Sequence, residues 1–382
     1  MADRPLSFFL IAGEPSGDRL GAALMDGMIS LTSARFAGIG GSQMEAQGIT
    51  SLFPMEELSV MGIAEVLPRY RHLRRRIKET ARAVLDSRAD ALITIDSPDF
   101  CLRVAAIIKS ARPDFRTIHY VAPSVWAWRP GRAARMARVI DHVLALLPFE
   151  PPYMTAAGMS CDFVGHPVVA EPLASLEEKA AFSGEGPLLL MLPGSRRSEV
   201  ARLAPVFAAA VAQLKSRHRE LRVVLPTVAG VADQIEELAK GWTITPRIVL
   251  DPALKRGAFA AADLALAASG TVSLELAANA CPMVIAYDMH PLTMWVMRRA
   301  TLVDTVTLVN LVSETRVVPE FIGPDCRAER IVPALEALLG GSSAQAEAMA
   351  LTMERLGRGG EAPGLRAARS VLGVLGRRAP LA

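Results

Sequence analysis

The chain has 382 residues, 51% hydrophobic and 21% charged, which is enough for two domains with full cores. A net charge of only +3 excludes a general nucleic-acid binder, so no nucleic-acid partner is expected. The four cysteines (Cys101, Cys161, Cys281 and Cys326) form no C-x-x-C pair, the six histidines show no metal-ligand spacing, and no apolar run reaches the ~18 residues of a membrane span, which together point to a reduced cytoplasmic protein.

Residues 7–12 read as a buried strand, too short and too poor in preceding basic residues for a signal peptide. Gly13-Glu14-Pro15-Ser16-Gly17-Asp18 follows as a glycine-bearing loop, with a helix beginning near Arg19. This is a strand–loop–helix opening, but neither G-x-G-x-x-G nor G-x-x-x-x-G-K-[ST] is present. A second strand at 36–39 ends in Gly40-Gly41.

Residues 61–68 lead into a basic segment with Arg69, Arg71, Arg74, Arg75, Arg76, Lys78 and Arg82, through which Leu67, Tyr70, Leu73 and Ile77 recur at helical spacing. Such a basic amphipathic helix suits an anionic membrane surface; the other reading is a solvated helix face. Residues 91–95 form a third buried strand, with Asp96-Ser97-Pro98-Asp99 at its carboxyl end, where open α/β sheets place their chemistry. Asp99 is positioned to cap the helix that follows. Asp96, directly off the strand, is the candidate general base, or else a brace for the turn.

A strand at 117–121 opens into a loop, 122–132, that holds Trp126, Trp128 and Arg129. Its rings offer a wall for apolar or sugar faces, and its arginines can hold phosphate. Residues 170–186 are polar and acidic and read as a linker, after which the pattern restarts. A strand at 188–192 runs into Pro193-Gly194-Ser195-Arg196, where Ser195 can cap the next helix and Arg196 can reach a diphosphate.

Further strands are expected at 221–225, 248–250 and 264–268. The last breaks at Ser269-Gly270-Thr271, and a helix then runs over 272–279 with Ser269 or Thr271 as its N-cap. Small residues there let an anion approach the helix start, and Glu275, about one turn in, suits ribose hydroxyls better than phosphate. The alternative is a capped helix with an exposed glutamate. A helix bearing Trp295 and Arg299 follows, then a short strand at 307–311 that includes Asn310.

Two consecutive runs of βα units make the fold α/β, with two Rossmann-like doubly wound domains facing across a cleft and additional C-terminal helices. The expected domains are 1–169, 170–350 and a helical tail, 351–382, able to pack back on the first.

The motifs AGEPSGDRLGA at 12–22, MEELSVMGIAEVL at 55–67, IDSPDF at 95–100, YVAPSVWAWR at 120–129, LPFE at 147–150, FVGHP at 163–167, LPGSRRSEV at 192–200, ASGTVSLE at 268–275, CPMVIAY at 281–287 and LVNLV at 308–312 resemble the lipid-A-disaccharide synthase family, in order and along nearly the whole chain. The resemblance implies a GT-B-type inverting glycosyltransferase, with the nucleotide on the second domain and the acceptor on the first. It would join UDP-2,3-diacylglucosamine to 2,3-diacylglucosamine 1-phosphate, giving a β(1→6) disaccharide 1-phosphate and UDP. It assigns the base to Asp96, with Glu14 as second candidate. Arg196 and the turn Ser269-Gly270-Thr271 would hold the diphosphate and Glu275 the ribose, Ser195 would belong to the same UDP-sugar site, and Asn310 would line the same cleft. Trp126, Trp128, Arg129, Arg74, Arg75 and Arg76 are the acceptor- or membrane-facing set. No D-x-D stands in a suitable loop, so no metal or cofactor is expected, and the enzyme would sit peripherally on the inner face of the inner membrane. Two other readings are a UDP-N-acetylglucosamine 2-epimerase-like enzyme and a non-catalytic nucleotide-sugar binding module at the membrane surface.

Overall fold

The computed structural model describes residues 4–58 and 63–376. Met61 and Gly62, the side chains of Leu67, Arg69 and Tyr70, and residues 377–382 of the tail lie outside the described residues. The chain divides into two compact units, one running up to Ala170 and resuming at Gly359, the other running from Glu171 to Arg358.

In the first unit six strands form one sheet: β1 Leu6–Ala12, β2 Ala34–Ile39, β3 Ala91–Ile95, β4 Arg116–Tyr120, β5 His142–Ala145 and β6 Ser160–Phe163. Their order is β2-β1-β3-β4-β5-β6, all parallel. The residues of β3, ALITI, are buried on both faces, which is why the strand reads as a nearly continuous apolar run, interrupted only by Thr94, rather than an alternation. Neighbouring strands run outward on either side of the β1–β3 pair, so the order reverses there. In open α/β sheets ligands bind outside the strand carboxyl ends at such a reversal.

The second unit repeats the plan with β7 Leu188–Leu192, β8 Arg222–Pro226, β9 Arg247–Val249, β10 Leu264–Ala267, β11 Met283–Tyr287 and β12 Glu320–Ile322. The order β12-β11-β10-β7-β8-β9, again parallel, puts the reversal between β7 and β10. Helices flank both sheets, so the fold class is the α/β arrangement expected from the alternating pattern.

Three local expectations change. The first helix is Pro15–Leu31 and does not wait for Arg19. Proline at its start is pre-set for helical φ and lacks only an N–H that would be unpaired anyway, so most of the glycine-bearing stretch is the helix's first turn. Asp18 is buried within it, and its carboxylate accepts from the N–H groups of Gly41 (2.8 Å), Gln43 and Met44 (both 3.0 Å).

The helix after β3, Pro98–Ala111, is entered through Ser97, with Asp99 inside its first turn rather than at the cap. Finally, 307–311 is not a strand: Leu308–Ser313 is a helix, and the edge strand is β12. A five-residue apolar run has no period of its own, and here packing against the helix Ser343–Arg355 decides it.

The helix Pro363–Val374 belongs to the first unit and packs along Pro15–Leu31. A side chain at Gly27 would start 2.7 Å from the Gly364 carbonyl oxygen, and one at Gly364 only 2.4 Å from that of Ala23. Two glycines facing each other let the helix backbones touch.

Candidate functional site

In the first unit the reversal brings two loops together. Ala12 of β1 pairs with Ile95 of β3, so Gly13-Glu14 and Asp96-Ser97 leave adjacent strands side by side. They are in direct contact, since a Cβ on Gly13 would lie 2.4 Å from Ser97 Oγ. Glu14 is the N-cap residue of the first helix but makes no side-chain capping bond there, and it is half-buried.

Asp96 and Ser97 both adopt the left-handed conformation, with φ of 52° and 43°. Two consecutive non-glycine residues in that region carry strain of order 1–3 kcal/mol each, a cost that persists chiefly where geometry serves a site. Asp96 N–H donates to Tyr120 O (3.0 Å), and Asp96 Oδ1 accepts from Ser97 N–H (2.9 Å), which fixes the carboxylate at the strand end. Asp96 is half-buried.

Strain continues at the end of β4. Val121 has φ of 81°, a true outlier for a β-branched residue, and Arg129 has φ of 53°. Between them the tryptophan loop splits in function. Trp126 is only 8% exposed, packs edge-on to Phe149 at 5.1 Å and donates its indole N–H to Glu150 at 3.3 Å. It therefore anchors the loop, and is not part of an acceptor-facing wall as expected. Trp128 is half-buried, with the Arg129 guanidinium 4.1 Å from its ring centroid, and this pair faces outward.

Glu150, to which sequence reasoning gave no role, is 3% exposed and also accepts from Leu146 and Leu147 N–H (3.1 and 2.9 Å). Burial pushes its carboxyl up to about 7, against the lowering effect of those three donors.

The basic helix, Ile63–Asp86, also differs from expectation. Arg71, Arg74, Arg75, Lys78 and Arg82 are exposed. Arg76 is not: its guanidinium binds Glu57 (2.7 Å) and Glu79 (2.9 Å) and lies over the Phe53 ring at 4.3 Å. That hydrogen-bonded guanidinium, with His72 nearby, holds the Glu57 carboxyl down at about 2. Arg76 is thus a tie between the helix and the segment before it, since the carboxylate it needs lies on that side.

In the second unit Ala267 pairs with Leu192, so Pro193-Gly194-Ser195-Arg196 and Ala268-Ser269-Gly270-Thr271 emerge side by side at the β7–β10 reversal. Of the N-caps expected here, Ser195 is displaced, whereas Thr271, one of the two residues expected for the second helix, does occupy the cap position. Arg196, not Ser195, is the cap residue of the helix Arg197–Arg217, without a side-chain capping bond. Thr271 is the cap residue of Val272–Ala278, also without one, and Ser269 Oγ instead donates to Val306 O at 3.4 Å. Backbone N–H groups at both helix starts are therefore not claimed by capping side chains. Around Gly270 the space where a side chain would stand is open.

Arg196 is exposed and pairs with Glu199 at 3.1 Å, and Tyr287 at the end of β11 donates to the same glutamate at 3.4 Å. Glu199 was missed as an orienting group, although its place three residues after Arg196 is the helical signal for such a pair. Glu275 accepts from Lys255 Nζ at 2.9 Å and is part-buried. Asn310, expected in a strand lining a cleft, is 1% exposed; its amide accepts from Val318 N–H and donates to Val318 O, both at 3.0 Å. It closes a loop, with its hydrogen-bonding groups used inside the protein. Among the described residues no group of three or more His, Cys, Asp or Glu is placed to hold a metal ion, and no helix is long and apolar enough to cross a membrane.

A family model described as lipid-A-disaccharide synthetase matches residues 8–362. The chain belongs to the lipid-A-disaccharide synthase family. It is accordingly a glycosyltransferase. The synthase of Ruegeria pomeroyi is 60% identical over 97% of this chain and 96% of its own length, and that of Rhodospirillum centenum 46% identical over 98% and 96%.

Solved structures resemble the chain in fold alone. A UDP-GlcNAc 2-epimerase from Neisseria meningitidis, bound to UDP-GlcNAc, gives a TM-score of 0.64 at 11% identity over 97% of this chain and 98% of its own. MurG from Acinetobacter baumannii gives 0.56 at 12% identity, over 97% and 99%. This synthase family thus shares its two-sheet plan with the epimerases, while its sequence separates it from them.

Proposed function

We propose that the chain joins UDP-2,3-diacylglucosamine to 2,3-diacylglucosamine 1-phosphate, forming the β(1→6) disaccharide 1-phosphate of lipid A and UDP. The observation that carries the assignment of roles is the position of the two loop pairs: each lies at the reversal point of its own parallel sheet. In the second unit the starts of the two helices and Arg196 stabilise the negative charge that grows on the departing diphosphate. Glu275 binds the ribose, its carboxylate oriented by Lys255. In the first unit Asp96 takes the proton from the acceptor 6-hydroxyl as that oxygen bonds to the anomeric carbon and the bond from that carbon to the diphosphate breaks. Glu14, in the touching loop, is the second candidate for that base. One base and one stabilised leaving group suffice for inversion, whereas glycoside hydrolysis calls for a pair of carboxylates.

Trp128 and Arg129 flank the acceptor, and the exposed arginines of Ile63–Asp86 hold the enzyme to an anionic membrane surface at the cytoplasmic face. The test is mass analysis of the products formed from the two acylated sugars. The wild-type chain should yield disaccharide phosphate and UDP. Asp96→Asn should lower turnover by ~10²–10⁴ with UDP affinity kept. Near-normal turnover in that variant would remove Asp96 from the role. Conversion of the nucleotide sugar alone, without acceptor, would favour epimerase chemistry.

A further inference from the structure

The helix Pro291–Ala300 follows β11 and carries Trp295, which is 59% exposed. Arg299, four residues on and so on the same helix face, places its guanidinium 3.8 Å from the Trp295 ring centroid. Trp295 and Arg299, with Met289, Met294, Arg202 and Asp288, line a groove of about 730 Å³, within the usual range for small-molecule sites. Thioethers adapt to irregular apolar ligands, and a stacked indole is a rigid apolar wall. At Gly323, which also lines the groove, bare backbone lets the Met294 methyl lie against it: a Cβ there would stand 2.9 Å away. Arg202 and Asp288 pair at 3.5 Å, so that among the described residues lining the groove Arg299 is the cation attached to the apolar wall.

The place of the groove in the second unit bears on what could fill it. Arg202 is on the helix Arg197–Arg217, about 9 Å along the axis from the Arg196 loop. In the other direction along the chain, exposed apolar residues recur at Leu302 (60% exposed) and Val306 (39% exposed), and the Val306 carbonyl accepts from Ser269 in the Ser-Gly-Thr turn. Both approaches end on the loops assigned to the donor diphosphate. A ligand held there that also carries long apolar chains would lay one along this groove.

We propose that the groove lined by Met289, Met294 and Trp295 receives an acyl chain of the sugar-nucleotide donor and sets its chain-length preference. The proposal rests on the function proposed above and adds a subsite to it. Each buried methylene strengthens binding roughly fourfold, so the site should be read in the dependence of affinity on chain length.

The experiment measures binding by calorimetry, which needs no turnover, with UDP, a dibutanoyl donor and a didodecanoyl donor. The wild-type chain should bind the long-chain donor at least about tenfold more tightly than the short one. Trp295→Ser should lose most of that ratio and Trp295→Phe should keep it, with UDP affinity equal in all three. Trp295 is exposed, so neither substitution disturbs the core. An unchanged ratio in Trp295→Ser overturns the proposal. So does an unchanged ratio accompanied by a change in sedimentation, which would make the face a contact between two copies of the chain. Absence of disaccharide product with the long-chain ratio intact would instead overturn the proposed chemistry and leave the groove standing.

Discussion

At the residue scale, the two carboxylates that matter most in the first unit are treated in opposite ways. Asp96 is held half-exposed on a strained turn, while Glu150 is buried beneath the tryptophan loop and used as an acceptor for three N–H groups. Burial raises Glu150 from 4.5 to about 7, so the folded protein keeps a proton that the unfolded chain has lost. Its contribution to stability is therefore complete below pH 4.5, declines as the pH rises to about 7 and is constant above that. Glu150→Gln carries no charge at any pH. Relative to wild type it should gain on the order of 3 kcal/mol between those limits, read from urea midpoints across the range. Parallel curves for the two proteins would mean that the Glu150 carboxyl titrates normally.

At the scale of the element, the basic helix Ile63–Asp86 separates into two functions along one arginine run. Arg74 and Arg75 are exposed, whereas Arg76 is 17% exposed and tied to Glu57 and Glu79. Replacing Arg74 and Arg75 with Ser should weaken binding to anionic vesicles by at most about 1 kcal/mol per charge and leave the melting temperature unchanged. Arg76→Ser should do the reverse, costing about 1 kcal/mol of stability, since a partly screened pair contributes modestly. Because Glu57 is depressed to about 2, this stabilisation is present above pH 4.5 and is lost as the pH falls toward 2. Vesicle co-sedimentation and thermal melting on the same three proteins check both halves. Equal vesicle loss and equal melting for all the variants would return the helix to a uniform solvated face.

At the scale of the whole molecule, the first unit is not continuous in sequence. The chain leaves it at Ala170 and returns at Gly359 to lay Pro363–Val374 on the first helix. His142 of β5 also reaches Ser370 on the returning helix at 2.8 Å, and Ser370 donates to Asp162 of β6 at 2.6 Å. The returning helix thus supports the sheet that carries Asp96. Gly364→Leu forces a side chain against the Ala23 carbonyl, so it should cost about 1–3 kcal/mol and lower the melting temperature. An unchanged melting curve would show that the two helices do not depend on close contact.

The α/β class and most of the strands were legible because buried parallel strands are nearly continuous apolar runs, and runs such as ALITI and LLLML admit few other readings. The loops that follow them were legible for the same reason, since a turn directly after such a strand sits at the sheet's carboxyl edge wherever the strand is placed. Which two loops share an edge was not legible. Gly13 and Ser97 are far apart in sequence, as are Arg196 and Gly270, and only strand order puts each pair side by side. Nor could the sequence sort Trp126 from Trp128, or Arg76 from Arg75, because the side chains are identical and the difference is whether Glu150 or Glu57 stands opposite. Residue type and local spacing by themselves determine the repeating units and the family's motifs. Partners, burial and the direction a side chain faces arise from contacts between distant segments, and these exist only once the sheets have formed.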